Sequence, residues 1–292
     1  DLKYLEWASA QAADAINEAL TNLRPATLKI AVGEAEGKIA YNYYAPQLYD
    51  PRCGVIQALA PDGGVIATLV NYAIHPEVLG DDKGIISPDL CGPLYDRIEA
   101  KAGGMALFMN SAQGGMVTAD NRGPDGDMEV WEECVRIGEL LADEALRIVS
   151  GAPVQAAPSL HCAARDIRLT VSSPLMQMVL LNSHLAETMP DVNAVPTRLN
   201  VVTLGSAQLL NIPGEALPNI GYYLKRNMPT PHAFLLGLTN DAFGYMLTKY
   251  DFNSFKRYEY ISETSLGETV GEEYMTAALD LVREAPKPDA AP

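Results

Sequence analysis

The chain has 292 residues, 48% of them hydrophobic and 20% charged, and 37 acidic against 21 basic side chains leave a net charge of −16. An apolar content this high excludes a disordered chain, and the absence of any Lys/Arg cluster excludes a nucleic-acid binder. The longest apolar run, residues 65–74, is broken by Thr68 and Asn71 and falls short of the roughly 18–20 residues of a membrane span, so no transmembrane segment is expected. Secreted, periplasmic and cytoplasmic locations all stay open.

In residues 2–23, Leu5, Ala8, Ala12, Ile16, Ala19, Leu20 and Leu23 recur at three- and four-residue spacing, which predicts an amphipathic helix closed by Pro25. A helix starting directly behind Asp1, with no initiating Met, suggests a chain processed or truncated at its front. Short β-like runs follow at 27–32, 39–44 and 55–59, and Pro61-Asp62-Gly63-Gly64 reads as a hairpin turn. Residues 65–74 have the near-continuous apolar character of a central strand buried on both faces. Ser87-Pro88-Asp89 reads as a cap with Pro at the first helical position, opening a helix to 101, and 105–110 as the next buried strand.

A Gly-rich loop, 111–127, leads to a second amphipathic helix over 129–149. Further on the pattern predicts strands at 161–171, 201–204, 208–212 and 233–238, and helices at 174–189 and 271–283. Strands alternating with helices predict an α/β fold, a layered domain with a mixed β-sheet flanked by helices. One domain over 1–285 is expected, with a frayed tail at 286–292. Cys53, Cys91, Cys134 and Cys162 form no CxxC pair; buried free thiols are expected, with two disulfides left open.

Sites in such folds collect beyond the carboxyl ends of strands. Three residues occupy those places. His75 follows the most apolar strand; by itself it reads as a hydrogen-bonded strand-end histidine. Glu215 follows the strand ending at Ile212; by itself it is a first-turn carboxylate favoured by a helix dipole. Tyr245 lies in the loop after 238, where an aromatic usually packs, as Phe243, Met246 and Leu247 would. There is no Gly-x-Ser-x-Gly, Walker loop, HExxH or dinucleotide fingerprint, which removes nucleotide-dependent redox chemistry and phosphoryl transfer.

Taken in order, these stretches resemble the catalytic domain of the neutral/alkaline non-lysosomal ceramidases, zinc-dependent amidases. Asn71-Tyr72-Ala73-Ile74-His75-Pro76 is similar to their strand with a zinc-binding histidine, and Gly80-Asp81-Asp82-Lys83-Gly84 to the segment behind it. Ile212-Pro213-Gly214-Glu215 resembles the stretch with the zinc-binding glutamate. Gly237-Leu238-Thr239-Asn240 followed by Tyr245 resembles that with a zinc-binding tyrosine, and Arg257-Tyr258-Glu259 a further segment near the site. The resemblance implies a zinc hydrolase with His75, Glu215 and Tyr245 as ligands and water as nucleophile. It places Thr118, Asp81, Lys83 and Tyr258 about the reacting groups.

Two departures qualify it. The family's further zinc histidine lies in a His-rich segment ahead of the region where this chain starts. Either a removed segment or a separate chain supplies it, or the metal site is incomplete; His161, His184 and His232 read as structural. Thr118 and Met116 stand where the family has a serine and an aspartate. The expected substrate is therefore a small-molecule amide or ester other than ceramide. The family's C-terminal β-sandwich has no counterpart in these residues. A non-catalytic binding or scaffold protein is the alternative reading, and a zinc-free hydrolase using Thr118 or Ser111 as nucleophile a weaker third.

Overall fold

Two β-sheets lie face to face between two layers of helices in the computed structural model, which describes residues 2–183 and 191–291. The first half comprises α1 (Leu2–Thr21), β1 (Thr27–Glu34), β2 (Ala40–Asn42), β3 (Arg52–Leu59), β4 (Val65–Tyr72), α2 (Cys91–Ala102), β5 (Met105–Asn110), β6 (Val117–Ala119), the small hairpin β7 (Arg122–Gly123) and β8 (Gly126–Asp127), and α3 (Trp131–Ser150). The second comprises β9 (Val154–Gln155), β10 (Leu160–Thr170), α4 (Pro174–Leu181), β11 (Ala194–Leu204), β12 (Ala207–Asn211), β13 (Glu215–Ala216), α5 (Pro218–Asn227), β14 (His232–Leu236), β15 (Tyr245–Met246), a 3₁₀ turn (Lys256–Tyr258), α6 (Glu259–Glu263) and α7 (Val270–Glu284).

The first sheet has the order β5-β4-β3-β1-β9 and the second β10-β11-β12-β14. Each is antiparallel except for one parallel pair, β4 with β5 and β12 with β14. The predicted mixed sheet is thus present twice. Side-chain alternation along β3 explains the layering: Cys53 and Val55 face α2 and α3, while Ile56 faces the other sheet with Ile30, Ala207 and Phe234. Gly54 lies on that inner face, where a Cβ would come within 2.5 Å of the Phe234 ring, so only glycine lets the sheets approach there. The outer face of the second sheet packs on α5 and α7; Tyr274 of α7 is fully buried and donates its hydroxyl to Asn211 O at 2.8 Å.

Charged pairs tie the elements together. Lys225 of α5 is buried and meets Asp50 at 2.9 Å, and Arg52 reaches the same carboxylate at 2.8 Å. Arg97 and Lys101 of α2 hold Asp143 of α3 at 2.9 and 2.7 Å.

Several expectations are corrected. Helix α2 begins at Cys91, not behind Ser87, because Asp89 adopts φ +52° and spends its carboxylate on the backbone N–H groups of Val78, Leu79 and Leu90. Ser-Pro-Asp is a clamp on the loop behind His75 rather than a helix cap. Strand β5 is an edge strand with Met105 and Leu107 exposed, not a buried one. Cys53, Cys91 and Cys134 are buried free thiols, and burial pushes Cys53 up to about 12, but Cys162 is exposed. Helix α1 forms as predicted, yet buries none of its residues. Within the segment expected to fray, Asp289 N donates to Gly205 O at 2.8 Å, and its carboxylate accepts from Ser159 N and Oγ, both at 2.9 Å. His184 and the end of the helix predicted over 174–189 lie outside the described residues.

Candidate active site

The parallel pairs of both sheets end at the same place. Asn71, the interruption in the apolar run of β4, donates to Met109 O and Asn110 O in its own sheet and to Leu235 O of β14 in the other, at 3.0, 3.0 and 2.8 Å. Gly237 N, just past β14, donates to Asn110 O at 3.1 Å. One buried amide therefore stitches the carboxyl ends of β4, β5 and β14 together, and the loops leaving them converge above it.

His75 leaves β4 on one side of this seam and Glu215 follows β12 on the other. Their side chains meet with His75 Nε2 2.9 Å from Glu215 Oε2. His75 Nδ1 faces Val117 O at 2.6 Å, and His75 N donates to the same carbonyl at 3.3 Å. Since a carbonyl only accepts, Nδ1 carries the proton and Nε2 is left facing a carboxylate oxygen. That meeting requires either a proton between the two atoms or a cation shared between nitrogen and oxygen. Burial lowers the His75 pKa, but the hydrogen bonds to Glu215 and Val117 outweigh it and hold the imidazole above its usual range.

Glu215 is not in a helical first turn, as predicted, but in β13, which pairs in parallel with β15 and sets Glu215 beside Tyr245. Helix α5 starts only at Pro218. Gly114 lies under this strand, where a Cβ would sit 2.2 Å from Glu215 O. Tyr245 is buried, and its hydroxyl lies 3.7 Å from Met116 Sδ. Burial, with the Glu215 charge adding to it, pushes the Tyr245 phenol far above its ordinary pKa.

Thr118 forms a bridge with His75 and pairs across β2 with Tyr41; its neighbours Val117 and Ala119 point into the core, so its own side chain takes the opposite face. Tyr258 is buried, stacks on Tyr44 with centroids 5.7 Å apart, and belongs to the apolar cluster of Tyr245, Leu217, Leu247 and Ile261. Met246 and Leu247 are core residues, with Phe243 packed against the cluster of Met246. Asp81 and Lys83 lie in an exposed turn; Lys83 donates to Leu79 O at 2.7 Å and pairs with Asp82 and Glu129 rather than with His75. His232 bonds Ser206 Oγ at 2.9 Å and His161 is exposed, so neither joins the site.

Beside Gly237 the packing is polar: Asn110 Oδ1, Ser111 Oγ and both amide atoms of Gln113 are buried without a protein partner among the described residues. Among those residues no three His, Cys, Asp or Glu side chains gather to hold a metal. The donors that do converge are one imidazole nitrogen and one carboxylate oxygen with a tyrosine beside them. These suit zinc in kind, and the Nδ1–H to carbonyl bond is the usual outer support of a metal-binding histidine. Asn71, Asp89 and the Val117 carbonyl were missed as site-building groups. An amide inside an apolar strand is a legible signal for the first; nothing local announces the other two.

No protein family model matches the chain, and no curated protein matches it. Solved structures do. Neutral ceramidase from Pseudomonas aeruginosa superposes with a TM-score of 0.75 at 16% identity, over 95% of this chain and 56% of that one. A ceramidase complexed with C2 gives a TM-score of 0.74 at 16% identity, over 94% and 57%. The chain thus spans somewhat more than half the length of these neighbours, and the likeness the sequence motifs suggested is borne out in three dimensions: this chain has the neutral ceramidase fold.

Proposed function

We propose that the protein hydrolyses the carbon–nitrogen bond of a small-molecule amide other than ceramide, with His75, Glu215 and Tyr245 holding a zinc ion. The observation that carries this reading is the facing of His75 Nε2 and Glu215 Oε2 at 2.9 Å, with the Nδ1 proton already committed to Val117 O. Zinc bound there would lower the pKa of a coordinated water and polarise the amide carbonyl. The chain's own contribution is arrangement. Val117 O fixes the imidazole tautomer, the β13–β15 pairing fixes Glu215 beside Tyr245, and Thr118 offers a hydroxyl next to His75 to orient substrate or water. Tyr44 and Tyr258 wall the site on the Tyr245 side.

Turnover of a panel of small amides by the zinc-loaded protein, compared with His75→Ala and Thr118→Ala, tests the reading. Zinc-dependent hydrolysis lost in His75→Ala is expected. A second reading, a binding protein on the same fold, is favoured by one observation: Met116 and Thr118 stand where the resemblance leads one to expect an aspartate and a serine. Stoichiometric zinc without hydrolysis of any amide would select it.

A further inference from the structure

The segment 247–258 between β15 and α6 carries Lys249, Lys256 and Arg257 against one acid, Asp251, in a chain of net charge −16. Asp251 accepts from Thr248 Oγ1 at 2.8 Å and Asn219 Nδ2 at 3.4 Å, and its charge and that of Arg257 act in opposite directions on the Tyr258 phenol. Lys249 lies over its neighbour Tyr250, 5.2 Å from the ring centre. The Arg257 guanidinium donates to Tyr44 O and has no carboxylate partner among the described residues. A cavity of about 230 Å³ opens beside it, lined by Tyr44, Ala45, Phe255, Arg257 and Tyr258.

The walls are aromatic. Tyr44 and Tyr258 stack, and Phe255 meets Tyr258 edge-on at 5.5 Å while remaining 63% exposed. The cavity borders the candidate site, since Tyr44 and Tyr258 line it and also pack in the cluster that holds Tyr245. Aromatic faces beside a guanidinium that has no carboxylate partner suit an organic anion: the apolar body stacks and the planar fork takes a carboxylate. A neutral aliphatic chain would instead strip water from Arg257 and return nothing.

We propose that this cavity is a substrate subsite, and that the preferred amides are N-acyl amino acids with an apolar or aromatic side chain, their carboxylate on Arg257. The proposal rests on the hydrolase reading above. Hydrolysis breaks the C–N bond, puts the water oxygen on the acyl carbon, and returns a proton to the leaving nitrogen, so the products are a carboxylic acid and a free amino acid.

The test compares N-acetylphenylalanine with N-acetylphenethylamine, which lacks only the carboxylate, on the wild-type zinc-loaded protein, Arg257→Met and Arg257→Lys. The wild type is expected to favour the carboxylated amide in kcat/KM by about tenfold, the worth of one charge-assisted pair. Arg257→Met should bring the ratio near unity and Arg257→Lys restore part of it. Equal turnover of the two amides by the wild type, or a preference that survives in Arg257→Met, overturns the subsite. Calorimetric binding of the same two compounds to the same three proteins reads the subsite without turnover. Selective binding of the carboxylated compound, lost in Arg257→Met, supports it even where neither is hydrolysed, an outcome that sinks only the hydrolase reading. Equal binding overturns the subsite itself.

Discussion

His75 and Glu215 are separated by 140 positions in sequence and by 2.9 Å between Nε2 and Oε2 in space. The contact is made by two segments that share no strand pair: one leaves the first sheet, the other the second. Each half contributes one donor.

The first prediction concerns that pair. His75→Ala and Glu215→Ala should each reduce the zinc retained after gel filtration to background, whereas Tyr245→Phe, which removes only a hydroxyl, should retain a measurable fraction. Metal analysis by mass spectrometry decides it, and retention of stoichiometric zinc by His75→Ala would dismiss the proposed ligand set.

Gly114 sets the height of the strand carrying Glu215. An alanine there brings a Cβ to 2.2 Å from Glu215 O, a backbone atom that cannot yield without moving β13. Gly114→Ala should cost about 2–3 kcal/mol in urea unfolding, the usual size of an overpacking penalty. It should also weaken zinc retention, which a surface alanine substitution would not.

Asp50 neutralises the buried Lys225, whose own pKa burial pulls down. Asp50→Asn strands that ammonium and should cost about 3–5 kcal/mol, while the double change Asp50→Asn with Lys225→Met should cost much less than the sum of the two single changes. Chemical denaturation of the four proteins closes the cycle.

Acid stability should depend on Asp143. Its hydrogen bonds to Arg97, with those to Lys101, hold its carboxyl at about 2 against an ordinary 3.8. A carboxylate depressed in the folded state stabilises it above the unfolded value, and that contribution drains away as pH falls from about 4 to about 2. Asp143→Asn should flatten the stability profile in this window and lower stability at pH 7 by about 1 kcal/mol or less, since the pair is partly exposed. Unfolding midpoints measured from pH 2 to 7 provide the check.

Periodicity made the strands and helices legible, because alternation and the 3.6-residue repeat are local properties. It could not say that two sheets are stacked. Residues 65–74 read as buried on both faces whether the second face meets a helix or another sheet. The place of His75 followed from a rule about strand ends, but its partner carbonyl, Val117 O, belongs to a strand 42 residues away. Glu215 reads as a helix start because it directly follows the strand ending at Ile212; the pairing with Tyr245 that makes it a strand is a long-range event no local pattern encodes. Ser87-Pro88-Asp89 has the composition of a cap, and tertiary demand from the N–H groups of Val78 and Leu79 outbid it.

The placement of the site on the seam has a thermodynamic consequence. Apart from Ala112, the core around α2 and α3 is built from residues 35–149 and the core around α5 and α7 from residues 169–285. A fluctuation that parts the sheets can separate His75 from Glu215 while both cores stay folded, so amides at the seam, Gly237 N among them, should exchange with solvent ahead of those in β3 or β12. By linkage, anything that grips both side chains at once acts as a clasp: its binding energy is added to the docking of one half on the other, and the ligand concentration sets how long the halves stay closed.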